Sequence, residues 1–280
     1  MARNAEMAAR IEAAAGAGPL TFVVAGDSGA WPDPTADAIL AALLGQAAAL
    51  SPAFFANLGD FAGPGTRERH AHYLRLVEAL PCPDVCVVGN HDLDDPGGRA
   101  VWTAVHGPVE FTFAAGHTRF VALDAAPRET PAGTEGPGDA ALAYLDRTLA
   151  AADEPHRVVL MHCPPHAGGR FAPHPQWGFS SREREFLGLL REHRVGLVCC
   201  AHALFFDTWM QEGTRFVVSG GGGTALCSHF RGVCAPGEGV PADRGALFHA
   251  VALTIGADGA VGGRVLQAFD APGRARIAFG

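Results

Sequence analysis

Short apolar runs alternate with segments of helical period along most of this chain, and five of the runs stop at an acidic, amide or imidazole residue. Residues 21–25 lead into Gly26-Asp27, 54–58 into Gly59-Asp60, and 84–88 into Gly89-Asn90-His91-Asp92. Residues 157–161 lead into His162, and 195–200 into Ala201-His202. The intervening stretches 35–50, 67–80, 98–105, 140–152 and 181–193 carry helical spacing, and Ser181 reads as an N-cap. Strand then helix, repeated, argues for parallel βαβ units in a mixed sheet. Buried strands of that kind deliver their C-terminal residues to one rim, where α/β proteins build their sites. Asp27, Asp60, Asn90, His162 and His202 are therefore expected side by side. Two hairpins complete the pattern, at 110–123 around Ala115-Gly116-His117 and at 246–269 around Gly256-Ala257-Asp258-Gly259. Residues 126–139 are too rich in Pro, Gly and Thr for a core and read as a loop.

With 280 residues and 48% hydrophobic composition, the chain has material for one sizeable core. A formal net charge of -8 argues against a nucleic-acid or anionic-membrane surface but leaves an anionic substrate open, because a bound cation inverts the local field. No segment is apolar for long enough to span a bilayer. Residues 1–18 are Ala-rich with Arg3, Glu6, Arg10 and Glu12, and lack the apolar stretch of a secretory signal. They read as a leader, either a fraying helix or disordered, ahead of a domain at 19–280. The seven cysteines form no Cys-x-x-Cys pair and sit mostly in apolar runs, which predicts reduced thiols and a cytoplasmic protein.

The five segments, in this order, resemble the calcineurin-like metallophosphoesterase superfamily. Its pattern runs Asp-x-His or Asp-x-Gly, Gly-Asp, Gly-Asn-His-Asp/Glu, a lone His, then Gly-His-x-His. The Asp27-Ser28-Gly29 start is similar to that of purple acid phosphatases. The likeness extends through Met161-His162-Cys163-Pro164-Pro165 to the Ser219–Gly223 turn. It implies a four-layer αββα sandwich of two mixed β-sheets flanked by helices. It also implies a phosphatase or phosphodiesterase of small phosphorylated molecules that uses manganese, iron or zinc. By the same resemblance Asp60 bridges two ions, Asp27 binds the first, and Asn90, His162 and His202 bind the second. A metal-bound hydroxide would attack phosphorus while His91, oriented by Asp92, protonates the leaving group. The motif differs from the Ser/Thr protein phosphatases, which carry Gly-Asp-x-Val-Asp-Arg-Gly.

The departures from the family pattern fall on one side of the site. Gly29, Gly63 and Leu204 stand where relatives carry a His, a Tyr and a His, so the first-metal position keeps only Asp27 and Asp60. One tight divalent site with a weak or absent second is the expectation. His166, His174 and His229 are candidates for substrate contact, and the remaining histidines read as structural or surface. Oligomeric state is left open by the sequence. Two other readings compete: a non-hydrolytic or single-metal member of the same fold, and a GDSL-type serine esterase using Ser28. The esterase would need a His–Asp partner for the serine, and the only Asp-x-x-His, Asp153 to His156, opens a strand in mid-chain. Asp27 and Asp60 could also be plain N-caps of the helices that follow them.

Overall fold

The computed structural model of the chain describes residues 2–125, 136–166, 178–179, 181–224, 248–268 and 278–279. His174, His229 and most of the expected 126–139 loop lie outside the described residues. In chain order the elements begin α1 (Arg3–Ala14), β1 (Leu20–Ala25), α2 (Pro34–Ala48), β2 (Phe55–Asn57), α3 (Arg67–Val77) and β3 (Asp84–Cys86). A single 3-10 turn (His91–Leu93), α4 (Gly98–Val105), β4 (Phe111–Ala115), β5 (Thr118–Leu123), α5 (Asp139–Ala150) and β6 (His156–Met161) follow. The remainder is α6 (Glu183–Glu192), β7 (Leu197–Cys200), β8 (Phe206–Gln211), β9 (Thr214–Ser219), β10 (His249–Ile255), β11 (Val261–Gln267) and β12 (Ala278–Phe279).

Two six-stranded sheets form, ordered β12-β11-β10-β1-β2-β3 and β4-β5-β6-β7-β9-β8. The first is parallel from β1 to β3 and antiparallel from β1 outward through β10. The second is parallel across β5, β6, β7 and β9, with antiparallel strands at both edges. Alternation along each strand separates the layers. Phe22 and Val24 of β1 point between the sheets and meet Phe120, Val158 and Leu160 of the other sheet, while Val23 and Ala25 point outward under Ile39, Leu40 and Leu43 of α2. The far side of the second sheet is covered by Leu142, Leu145 and Leu149 of α5 and by Phe186 and Leu190 of α6. Phe22 stacks on Phe54 of its own sheet, centroids 5.0 Å apart, and meets Phe120 of the other sheet edge-on, centroids 5.3 Å apart. The result is the αββα sandwich.

Two local expectations differ. Helix α6 is not capped by Ser181: its N-cap is Arg182, in the left-handed region at φ 66°, with no capping side chain. Glu183 and Glu185 in the first turn still complement the helix dipole. The N-terminal segment, read as a fraying leader, is helix α1 laid against β3 and β4. Met7, Ala8 and Ile11 enter the inter-sheet core, Arg3 pairs with Asp84, and the Asn4 amide bonds both the Cys86 carbonyl (2.8 Å) and the Cys86 N–H (3.0 Å). No helix among the described residues is long and apolar enough to cross a membrane. Cys86, Cys199 and Cys200 are free, buried thiols, and burial pushes each up from its ordinary pKa.

Candidate metal centre

Strands β1, β2 and β3 of one sheet and β6 and β7 of the other all end at the same rim, and a candidate donor follows each within four positions. Asp27, Asp60, Asn90, His162 and His202 meet there. His162 Nε2 lies 3.1 Å from Asn90 Oδ1 and 3.2 Å from Asp60 Oδ2. His202 Nδ1 lies 3.1 Å from the same Asn90 oxygen, and the His202 N–H donates to Asp27 Oδ2 at 2.8 Å. Donor atoms of Asp27, Asp60 and His162 lie within 4.8 Å of one another, close enough to share an ion. His162 Nδ1 donates to the Leu58 carbonyl at 2.7 Å, which leaves Nε2 aimed at the carboxylates, the arrangement by which an outer partner orients a metal-binding imidazole.

The backbone at this rim is unusual. Asp27, Asp60 and His202 adopt φ of 58°, 57° and 62°, a left-handed conformation that costs a non-glycine residue free energy and collects at functional sites. That conformation also removes the N-cap reading, because N-caps are extended and α2 and α3 are capped by Asp33 and Thr66 instead. The glycines of the Gly-Asp and Gly-Asn steps permit the loops to touch. A Cβ on Gly59 would lie 2.6 Å from His162 Nδ1, and one on Gly89 would collide with the Asp60 carboxylate.

Electrostatics couple the buried groups of the cluster. Burial pushes the Asp27 carboxyl well above its ordinary range, with His162 opposing and Asp60 reinforcing. Burial acts the same way on Asp60, but the contact with His162 and the nearby His91 and His202 outweigh it and hold that carboxyl far below the usual range. His162 rises to about 10: burial lowers it, and Asp60 and Asp27 more than compensate. Without a metal, a proton on His162 thus stands in for the positive charge. Carboxylate oxygens, an amide oxygen and two imidazole nitrogens suit a borderline divalent ion, so the residues fit the expected cofactor.

The expected roles beside the ligands are partly redistributed. Asp92 does not face His91. It accepts N–H bonds from Asp60 (2.9 Å), Phe61 (3.0 Å), Ala62 (2.8 Å) and Gly89 (2.9 Å), and so pins two ligand loops together. Burial, then Asp60, raises its pKa to about 7. The partner of His91 Nδ1 is Asp94, at 2.5 Å, and the His91 N–H donates to Asp60 Oδ1 at 2.8 Å. Trp31, unremarked in the sequence, packs on His91 with ring centroids 4.9 Å apart. His166 is held by Glu183 (2.8 Å) and lies beside Trp209, and it joins no group of converging donor atoms among the described residues.

Gly29 and Gly63 are closed to any side chain. A Cβ at Gly29 would lie 2.5 Å from the Phe61 carbonyl, one at Gly63 would collide with the Ala30 carbonyl, and Leu204 is buried. Ser28 is buried too, its hydroxyl accepting from Asn57 Nδ2 at 3.1 Å. His156 starts β6 and His162 follows its end, which separates His156 from the rim by the length of that strand, ~20 Å. The serine-esterase arrangement is therefore absent among the described residues. The Gly220–Gly223 run is a turn packed on the Asp27 loop, and the Gly222 N–H is spent on the Gly26 carbonyl at 2.9 Å.

The sequence pattern described as calcineurin-like phosphoesterase matches residues 20–204, which contain every one of these donors. The chain belongs to the calcineurin-like phosphoesterase family. No curated protein sequence matches it. Among solved structures the fold is similar to a purple acid phosphatase from yellow lupin, with TM-score 0.67 and 15% identity over 94% of this chain and 54% of that one. It is also similar to a dimetal phosphatase from Danio rerio, with TM-score 0.62 and 14% identity over 85% and 95% of the two chains. GAP50, described as the anchor in the inner membrane complex of Plasmodium, has TM-score 0.66 and 15% identity over 94% of this chain and 88% of its own. At these identities the likeness establishes the fold.

Proposed function

We propose that this family member is a metal-dependent hydrolase of small phosphomonoesters or phosphodiesters. The observation that carries the reading is the meeting of Asp27, Asp60, Asn90, His162 and His202 from both sheets, three of them on left-handed backbone. Asp60, Asn90, His162 and His202 would hold one manganese, iron or zinc ion tightly. Asp27, with Asp60 alone to help, would hold a second loosely, since Gly29, Gly63 and Leu204 offer no donor. A bound divalent ion supplies Lewis acidity and lowers the pKa of a coordinated water. The chain's own contribution is orientation and proton delivery. Asp94 fixes His91 through Nδ1, leaving the ring's other nitrogen to hand a proton to the departing oxygen. The family membership and the two phosphatases of like fold support hydrolysis. The three missing donors favour a second reading, a non-hydrolytic or single-metal protein.

The test is turnover of aryl phosphates, bis-aryl phosphates, nucleotides and cyclic nucleotides with manganese, iron, zinc or nickel, together with metal analysis of the purified protein. Hydrolysis of at least one ester, lost on chelation, with one retained ion per chain is the expected result. No turnover on any of them would give the non-hydrolytic reading. Two ions surviving chelator-treated gel filtration would show that the first position is rebuilt from other residues.

A further inference from the structure

Trp31 is 54% exposed, one of two large apolar side chains so exposed among the described residues. A lone exposed aromatic is ordinary on a protein surface. This one is not placed like a stray. Its indole lies on the ring of His91, tilted by 54°, and the backbone of His91 is bonded to Asp60. The indole is therefore one ring removed from the centre, against the proposed proton donor.

The loop that carries Trp31 is braced at both ends. Before it, the Ala30 N–H donates to Thr224 Oγ1 at 3.1 Å and the Gly29 carbonyl accepts from the Gly63 N–H at 3.0 Å. After it, Pro32 restricts the backbone of Trp31 and fixes the next φ, and Pro34 opens α2 behind the Asp33 cap. A rigid loop holding an indole half in water forgoes the burial that would stabilise it. Fixed amphipathic rings at low entropic cost are what recognition surfaces use.

We propose that Trp31 selects the substrate: the leaving group carries a planar aromatic ring, aryl or nucleobase, that stacks on the exposed indole face. This rests on the phosphoesterase reading and adds the class of its substrate. Stacking of a base on an aromatic side chain corresponds to roughly 5- to 150-fold in affinity. The experiment measures kcat/KM of the metal-loaded wild type, Trp31→Ala and Trp31→Phe on phenyl phosphate, a nucleoside monophosphate and glycerol phosphate. Calorimetric binding of the same three compounds is measured in parallel. In Trp31→Ala the preference for the aromatic esters over glycerol phosphate should fall by roughly 5- to 150-fold, mainly through KM, and Trp31→Phe should restore most of it. A loss confined to the nucleotide would identify a nucleobase as the partner; equal losses for both aromatic esters would identify the aryl face alone. Turnover with losses equal across all three compounds overturns the proposal and leaves the hydrolase standing. No turnover, with aromatic binding still weakened in Trp31→Ala, overturns the hydrolase and leaves the stacking surface.

Discussion

Asp92 turns its carboxylate toward four backbone N–H groups, whereas Asp94, one 3-10 turn on from His91, turns toward the imidazole. The two should respond oppositely to substitution. Asp92→Ala strands four buried donors, each worth ~1–3 kcal/mol, so thermal unfolding should show a loss of at least ~3 kcal/mol and metal analysis an emptied site. Asp94→Asn should keep fold and metal while lowering turnover, most of all for esters with poor leaving groups. His91→Ala sets the ceiling for that loss, ~10²–10⁴-fold. Metal loss in Asp94→Asn, or intact metal in Asp92→Ala, would reverse the assignment. The five residues that meet at the rim were legible because each closes an apolar run. Their supports were not, since Gly-Asn-His-Asp places an acid next to His91 while the turn presents the one three positions on. Trp31 gave no signal because its partner lies 60 positions away in sequence.

Between helices α3 and α4, His70 Nδ1 and His106 Nε2 lie 3.1 Å apart, buried with Phe61 and Trp102. Burial and then Arg67 lower the His70 pKa to about 4, and burial and then His70 push His106 well below its ordinary value. Both are neutral in the folded protein. An unfolded histidine takes up a proton near 6.5, so between there and about 4 the unfolded chain binds more protons than the folded one. The stability this pair leaves intact at neutral pH is lost as pH falls from 6.5 toward 4. Melting temperature measured across that window should decline in the wild type and decline less steeply in His70→Phe; an unchanged slope would place the acid sensitivity elsewhere. At this scale most elements followed from periodicity. What escaped was attachment: α1 reads as a loose Ala-rich leader because only Met7, Ala8 and Ile11 enter the core, while Arg3, Asn4 and Glu12 bind polar atoms that sequence does not display.

Across the whole molecule, Asp27, Asp60 and Asn90 come from one sheet and His162 and His202 from the other, so a bound ion would tie the two halves together. An ion that binds only the folded state stabilises it by ~2.7 kcal/mol at a hundred times its dissociation constant, or ~5 °C in a chain of this size. Manganese or zinc should raise the melting temperature of the wild type by about that much, and EDTA should reverse it. The shift should vanish in Asp60→Asn; its persistence there would put the ion at another site.

The same topology orders events in time. The second sheet is built from an uninterrupted middle stretch, but the first closes on itself from both ends of the chain, with Thr21 and Thr254 bonded through their hydroxyls across 233 positions. On a ribosome adding ~5–20 residues per second, β1 waits ~10–50 s for its antiparallel neighbour. Asp60, Asn90, His162 and His202 are all made within that wait, so the five rim residues exist before the sheet that carries three of them is complete. The flank of β1 that will later meet β10 is an open strand edge for the same period, the kind of surface other chains pair with.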